Sequence, residues 1–484
     1  MHETHTRGRT PRRVTSAVIL VGALCLVGGA VLRRGGPAGP TPRTVAVGHP
    51  IVPPVVDDAS GHTFLTLYDS RGDAHIIVLD TASGRVRRTI PIVADNLNAL
   101  AVDSRAGRVF LAAGACLDGA CTRTAGSIRV FDARTGGLVR VVRVGPDAGA
   151  LAVDAQAGRV YVGAAAPAPA SCAGACPSDD GVLVALDTRR GQIVRAIPPH
   201  VQGVTQVDIA LDRRGGRLVV VGYSYNGPGM VNLLDSASGR LLHTLPLTTG
   251  VWCPPVIDGA TGRAFVAIGS TSGTTTTGRV DVLDSATGAL VRAVPLPGGV
   301  VRLAVDERAG RVLATTFGPA HRTVYNFAGG GGVVEMIPTG SGRLLILDAR
   351  NGALVHTITT GPGTTAVAVD TRRGRVFVAS TGAITPAGAY AGPGTLTVVD
   401  ERRGTIVRRI PMNVNPTELT FDEQTQHLFI AYQGSPLIPP TPDPWTWMPG
   451  WLRSRLPFVP HGASRSPTAS TASGGISVLD MAHL

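Results

Sequence analysis

The sequence predicts an all-β fold, an eight-bladed β-propeller of four-stranded antiparallel blades. One sequence motif occurs eight times. In each copy an apolar strand ends in Asp, a Gly turn follows, and two further strands lead to a second Asp and a second Gly turn. A period of about 46 to 80 residues with four strands per unit is typical of a propeller. The paired Asp stand at Asp57 and Asp80, Asp103 and Asp132, Asp154 and Asp187, Asp212 and Asp235, Asp258 and Asp284, Asp306 and Asp348, Asp370 and Asp400, and Asp422 and Asp480.

Each Asp-x-x-x-Gly segment predicts a hairpin corner. The carboxylate can cap the N–H groups of the turn, and Gly adopts a positive φ at no steric cost. The strands between the corners are rich in Val, Ile, Leu and Ala, as in 375–380 and 396–400. Such strands suit sheets that neighbouring blades cover on both faces.

The ring closes with the first strand of the repeat region. If the strands of a blade are called a to d from the channel outward, units one to seven are complete, but only four residues follow Asp480 in the eighth. Thr44 to Val47 reads like the outer strands of the other units. We therefore predict that it completes blade eight beside Ile476 to Asp480 and removes the exposed sheet edges.

The N-terminal region predicts a membrane anchor. Residues 14–32 are uncharged and mostly apolar, which is long enough to span a bilayer as one helix. Four Arg before this run and two after it favour a cytoplasmic N-terminus. The expected organisation is a basic cytoplasmic segment at 1–13, a transmembrane signal-anchor at 14–32, a Gly/Pro linker at 33–43 and the propeller at 44–484. Cleavage near Gly28 to Ala30 is the alternative, and the protein would then be secreted.

The charge of the chain does not indicate nucleic acid as a partner. The net charge is +12, and about half of it lies before the propeller. All sixteen Asp corners are expected on one face with many Arg beside them. That face is either a basic membrane-facing surface or a set of solvated turns in which the Asp neutralise the Arg. Because the linker leads directly to Thr44, we expect the corner face to look toward the membrane.

The opposite, outward face is expected to carry binding. Every long insertion between strands b and c lies there, and long loops on one side of a repeat fold commonly bind partners. The insertions span 113–126, 164–181, 269–278, 315–341, 380–394 and 432–475. The last one holds the candidate binding residues Trp445, Trp447, Trp451 and Phe458, which suit a lid, a protein or peptide partner, or a glycan platform. The alternative is self-packing that fixes a long loop.

Cysteine and histidine give weaker candidates. Cys116 and Cys121 share one insertion, and Cys172 and Cys176 share the next, so two disulfides within loops are expected in an exported protein. A four-Cys zinc site is the alternative. Three further candidate binding residues, His49, His200 and His321, lie in outward connections. No metal or nucleophile spacing joins them, so the sequence predicts no metal and no cofactor.

Two repeat elements carry a family resemblance. Gly158 to Val162 reads Gly-Arg-Val-Tyr-Val and precedes Leu-Asp-x-x-x-Gly at 186–191, and this resembles the YVTN-type β-propeller repeat of exported bacterial proteins. The elements at 185–187 and 135–136 are similar to quinoprotein dehydrogenase repeats, which also form eight blades. The docking Trp of that family is absent at 138–140, and the chain has no adjacent Cys pair. The resemblance therefore implies the fold. The missing Trp and the missing Cys pair argue against a quinone site.

These observations favour a membrane-anchored extracytoplasmic propeller that acts as a binding or protein-interaction module. The alternative is a propeller hydrolase or lyase, similar to a lactonase, with a site assembled from several blades at the outward mouth of the channel. Convergence of His49, His200 and His321 with carboxylates would favour the enzyme.

Overall fold

The fold is seen in a computed structural model, which describes residues 43–69, 71–94, 96–116, 124–145, 148–164, 182–198, 206–223, 229–272, 275–318, 320–326, 332–338, 340–382, 394–433 and 474–482. All of them belong to the compact unit Pro40–Leu484. Within these ranges every regular element is a β-strand. The predicted anchor at 14–32 lies outside the described residues, and no helix among the described ones is long and apolar enough to cross a membrane.

The first half of the chain forms one outer strand and four blades. The strands are β1 (Arg43–Ala46), β2 (His49–Pro50), β3 (Val55–Asp57), β4 (His62–Tyr68), β5 (Ala74–Asp80), β6 (Val86–Ile92), β7 (Asn96–Asp103), β8 (Arg108–Cys116), β9 (Thr124–Asp132), β10 (Leu138–Gly145), β11 (Ala148–Asp154), β12 (Arg159–Ala164), β13 (Val182–Asp187), β14 (Ile193–Ile197), β15 (Gln206–Asp212), β16 (Arg217–Tyr223), β17 (Gly229–Asp235) and β18 (Leu241–Pro246).

The second half forms blades five to eight. Its strands are β19 (Gly250–Val251), β20 (Val256–Asp258), β21 (Arg263–Ser272), β22 (Thr275–Asp284), β23 (Leu290–Leu296), β24 (Val300–Asp306), β25 (Arg311–Thr316), β26 (Ala320–Asn326), β27 (Gly332–Pro338), β28 (Ser341–Asp348), β29 (Leu354–Pro362), β30 (Thr364–Asp370), β31 (Arg375–Ser380), β32 (Gly394–Asp400), β33 (Thr405–Met412), β34 (Asn415–Asp422), β35 (His427–Gln433) and β36 (Gly475–Asp480).

The strand pairing confirms eight antiparallel blades. Blades two, three, four and seven are β7 to β10, β11 to β14, β15 to β18 and β30 to β33, each in chain order. Blade six is β24, β25, β28 and β29, and blade eight has the order β34, β35, β36, β1. The innermost strand of each blade contacts those of both neighbouring blades, and β34 of blade eight contacts β3 of blade one. The sheets therefore form a closed ring.

The predicted closure by the N-terminal strand is confirmed, one residue earlier than expected. β1 pairs antiparallel with β36, with Arg43 opposite Val478. Arg43 also donates a hydrogen bond to the carbonyl oxygen of Ser83 in blade one. Arg88 of blade one donates in the same way to Thr135 of blade two. The closing strand β1 thus contacts the next blade in the same way as β6, the outer strand of blade one, contacts blade two.

The core is divided into eight apolar clusters, one for each interface between neighbouring blades. The interface of blades eight and one buries Leu65, Phe429 and Ile476, and it is packed like those within the continuous chain. In six blades the third residue of strand b is a buried aromatic, namely Phe64, Phe110, Tyr161, Phe265, Phe377 and Phe429. Burial of these large side chains stabilises the six interfaces that contain them.

The Asp corners have the predicted geometry. Asp212 Oδ1 accepts the Gly215 N–H at 2.8 Å, and Asp80 Oδ1 accepts the Ser83 N–H at 2.8 Å. The turn after Asp80 ends at Gly84, whose φ is 65°. The carboxylate satisfies turn N–H groups that have no partner in the strand ladder.

Two features differ from the expected blade. The innermost strands of blades one and five are each split in two, β2 from β3 and β19 from β20. Pro53 and Pro54 lie in the first break and Pro254 and Pro255 in the second, and Pro cannot donate a ladder hydrogen bond. In addition, parts of three expected loops are strands.

The outward insertions of blades two, five and six are built as hairpins. β8 and β9 extend to Cys116 and Thr124, whose backbones pair. β21 and β22 continue to Ser272 and Thr275 and replace the loop expected at 269–278. The insertion at 315–341 contains the separate two-stranded sheet of β26 and β27. Residues 165–181, 383–393 and 434–473 of the other insertions lie outside the described ranges.

Candidate functional site

Three charged side chains occupy equivalent positions on the innermost strands. Counting back four residues from the first Asp of each repeat gives Ala99, Ala150 and Ala366 in blades two, three and seven. The same position holds Asp208 in blade four, Arg302 in blade six and Glu418 in blade eight. The innermost strands line the channel of a propeller, so these residues form a charged group along the channel wall. We call them the channel triad.

Arg302 and Glu418 join blades that are not neighbours. Arg302 Nη2 donates to Glu418 Oε1, although β30 of blade seven lies between their strands. The two side chains therefore meet across blade seven, on the channel side of β30. Arg302 Nη1 also donates to the Val301 carbonyl oxygen at 3.1 Å. These contacts hold the guanidinium in one orientation.

The environment of the pair is only partly hydrated. The Glu418 side chain is 12% exposed and that of Arg302 is 38% exposed. Burial raises the pKa of Glu418, and the Arg302 charge opposes that rise. Burial lowers the pKa of Arg302, but the Glu418 carboxylate more than offsets this and the net change is a rise. The guanidinium itself stays charged, as Arg does in proteins.

Cys253 lies beside the channel triad but is not a reactive thiol. It is 2% exposed and packs in the apolar cluster between blades five and six. Burial raises the pKa of its thiol to about 12, with a smaller opposing effect from Arg302. The thiol therefore stays protonated at neutral pH.

An aromatic pair lies near the outward end of blades five and six, with Trp252 in the break between β19 and β20 and Phe317 just after β25. The ring centroids of Trp252 and Phe317 are 5.8 Å apart at an interplanar angle of 47°. A Cβ on Gly299 would come within 2.6 Å of the Trp252 ring and 2.8 Å of the Phe317 ring. Gly299 therefore gives the two rings the space that they occupy. Both side chains are half-buried, so part of each ring is accessible.

Few of the site residues predicted from sequence can be compared with this geometry. His49 begins β2 opposite Tyr68, and its Nδ1 is buried without a hydrogen-bond partner in the described part of the chain. His321 lies in β26 with its backbone opposite Ile337. The candidates His200, Trp445, Trp447, Trp451, Phe458, Cys121, Cys172 and Cys176 lie outside the described residues. The convergence of the three candidate His with carboxylates stays a prediction, and so do the two disulfides.

No metal centre forms among the residues that the structure describes, since no group of three or more His, Cys, Asp or Glu is suitably placed there. The channel triad was not predicted from the sequence. A charged residue at a repeat position that is Ala or Pro in the other blades was the signal that could have found it.

On the corner face, Arg and Asp pair within blades. Arg108 Nη1 lies 2.8 Å from Asp132 Oδ2, and Arg311 Nη1 lies 3.0 Å from Asp348 Oδ2. Arg403 Nη1 is 3.1 Å from Asp400 Oδ2. These pairs support the interpretation that the Asp neutralise many of the corner Arg.

Glu401 is an exception on this face because it is buried. It follows the second Asp of blade seven, where blades one, two and five have Thr81, Ala133 and Ser285. Burial, and then the negative charge of Asp306 in blade six, raise the pKa of Glu401 to about 8. At neutral pH the carboxyl therefore holds a proton that it can donate to Asp306.

Comparison with known proteins places this geometry in a class. The chain is similar in fold to a europium-containing methanol dehydrogenase, with a TM-score of 0.53, 13% identity, and coverage of 91% of this chain and 92% of that one. This likeness shows the fold alone, a β-propeller of eight closed blades.

The family follows from the sequence match. Residues 48–294, just over half of the chain, match the family described as outer membrane protein assembly factor BamB, and the protein belongs to that family. A solved BamB from Moraxella catarrhalis is 13% identical, with a TM-score of 0.46 over 81% of this chain and 97% of that one. No curated protein matches the sequence. The narrower YVTN resemblance stays a prediction.

Proposed function

We propose that the protein is a membrane-anchored, extracytoplasmic propeller that binds a protein or peptide partner through its outward face. The observation that carries this proposal is the asymmetry of the two faces. The corners are short turns that close at Gly, whereas three blades extend on the opposite side into hairpins. The family name describes a protein assembly factor, which supports an interaction role.

The outward mouth has the composition of a binding surface. Trp252 and Phe317 offer accessible aromatic area held in place by packing, and the Arg302 and Glu418 pair lies farther along the channel. Aromatic and Arg side chains of this kind dominate the energetics of protein interfaces. A partner segment with an apolar anchor beside polar groups would match both features.

The direction in which the chain enters the ring supports the proposed orientation. β1 begins at Arg43, opposite Val478 and close to the corner that follows Asp480, and then runs toward the outward side. An anchor at 14–32 would therefore attach on the corner side. The hairpins would then face away from the membrane and toward a partner in the same compartment.

Site-directed photo-crosslinking in cells tests this proposal. A photoreactive residue at Thr271 in β21 should crosslink to a defined protein, and the same residue at Arg105, in a corner turn, should not. The purified partner should then bind wild type more tightly than Trp252→Ala, by a factor of ten or more, while Arg105→Ala binds as wild type. Equal crosslinking from both faces, or equal affinity of the Trp252→Ala variant, would overturn the proposal.

A further inference from the structure

The outer strand of blade one departs from the other blades at one position. In blades one to seven, strand d carries a bulge near its start, at the second residue in blades one to six and at the third in blade seven. Six of these bulged residues are aliphatic, namely Val139, Val194, Leu242, Val291, Val355 and Val407. Blade one has Arg87 instead, between Val86 opposite Leu79 and Arg88 opposite Val78. The fold accepts an aliphatic residue here, so it does not require Arg87.

Arg87 lines two adjoining recesses beside the corner turns. The first has a volume of about 400 Å³, lies between blades one and two, and also contains Arg88 and Arg134. The second has a volume of about 540 Å³ and contains Arg43 and Arg85. We call the two together the blade-one cleft.

The blade-one cleft is strongly basic. Its five Arg face one carboxylate, Asp80, which gives a net charge of +4 at neutral pH. Hydrogen bonds from Ser83 and Arg87 lower the pKa of Asp80 to about 2. Asp80 is therefore ionised, and it orients Arg87 by accepting from both Nε, at 3.0 Å, and Nη2, so that Nη1 is the Arg87 nitrogen outside this pair.

Guanidinium donors remain available in this cleft. One nitrogen of Arg88 donates to the Thr135 carbonyl, and one of Arg43 donates to the Ser83 carbonyl. Each guanidinium carries five N–H donors, so these contacts leave most of them unused. The side chain of Arg87 is 59% exposed and accessible from solvent.

We propose that the blade-one cleft binds a phosphate-class oxyanion, with Arg87, Arg88 and Arg134 as its ligands. The planar fork of Arg matches phosphate oxygens in pairs. The five Arg along the two recesses carry more positive charge than the single carboxylate neutralises, which favours a phosphate. The oxyanion comes either from a phospholipid headgroup or from a soluble phosphate compound. This inference is independent of the outward-face proposal.

Isothermal titration calorimetry on the purified full chain tests the site. The probes are sodium pyrophosphate and glycerophosphoglycerol, a soluble phosphodiester headgroup. Arg87→Val introduces the residue that other blades have at the bulge, and Arg134→Ala introduces the residue found at position 237 in blade four. Arg308→Val makes the same charge change at an exposed corner outside the cleft. Arg87→Val and Arg134→Ala should each raise the Kd at least tenfold, with the Arg308→Val value unchanged.

The two probes distinguish the sources. Tighter binding of glycerophosphoglycerol indicates a lipid headgroup, and tighter binding of pyrophosphate indicates a soluble phosphate compound. The proposal is overturned if wild type binds neither probe saturably, or if Arg308→Val weakens binding as much as the cleft variants. Two cleft variants in separate segments keep the test decisive if one of them fails to fold.

Discussion

The buried carboxyl of Glu401 predicts that the free energy of unfolding depends on pH. Its folded pKa of about 8 lies above the ordinary value of 4.5. Between these two values the folded chain binds more protons than the unfolded chain, so stability falls as pH rises. The stabilisation is complete below 4.5 and is lost as pH passes through 8.

The expected magnitude follows from the width of this window. One pH unit corresponds to at most about 1.4 kcal/mol, so the full window amounts to several kcal/mol. Glu401 is 1% exposed, so solvent screening reduces this value little. Glu401→Gln keeps the volume and a donor to Asp306 but cannot lose a proton, and it should remove this part of the pH dependence.

Urea unfolding of wild type and Glu401→Gln at pH 5, 6, 7 and 8 provides the measurement. The two free energies should diverge toward pH 8, with the variant the more stable. Glu307→Gln is the matched control, because Glu307 is an exposed carboxylate paired with Arg214 at 3.6 Å. Parallel pH profiles for wild type and Glu401→Gln would refute the reasoning.

Two further predictions concern ring closure and the channel. Deleting residues 43–46 should lower the melting midpoint by several °C because it removes β1 from β36: a loss of a few kcal/mol shifts the midpoint of a domain of this size by about 1 °C per kcal/mol. A deletion of 40–42 that keeps Arg43 is the control, and an equal midpoint for both would sink the closure model. Arg302→Met should cost about 1–3 kcal/mol by leaving Glu418 without its donor, at the low end because Arg302 is 38% exposed. Adding Glu418→Leu to Arg302→Met should recover much of this loss. Strictly additive losses of stability, measured by denaturation of the single and double variants, would contradict the pairing of the two side chains.

The fold could be predicted from the sequence because its determinants are local and repeated. An Asp that caps a turn and a Gly with positive φ mark each corner within a few residues. The role of Thr44 to Val47 followed from counting strands, since an incomplete eighth unit needs an outer strand from elsewhere. The split of β2 from β3 was not predicted, although Pro53 and Pro54, which cannot donate within a strand, are a local signal for it.

The candidate site was harder to predict because it depends on geometry between blades. Asp208, Arg302 and Glu418 are far apart in the chain, and only the ring brings the last two together across β30. Arg87 appears ordinary in a chain with 45 basic residues. It stands out only after the register shows that it occupies the bulge that other blades fill with Val or Leu.

The closing strand also determines the order in which the ring can be finished. Thr44 and Ser477, whose side-chain oxygens lie 3.0 Å apart, are separated by 433 positions. During synthesis β1 emerges before any blade, yet its partner β36 is among the last strands made. Until then both β1 and the edge of blade eight lack their ladder partners, and such edges invite pairing with other chains. A chaperone that shields these two edges would therefore act throughout synthesis, and its release would coincide with ring closure.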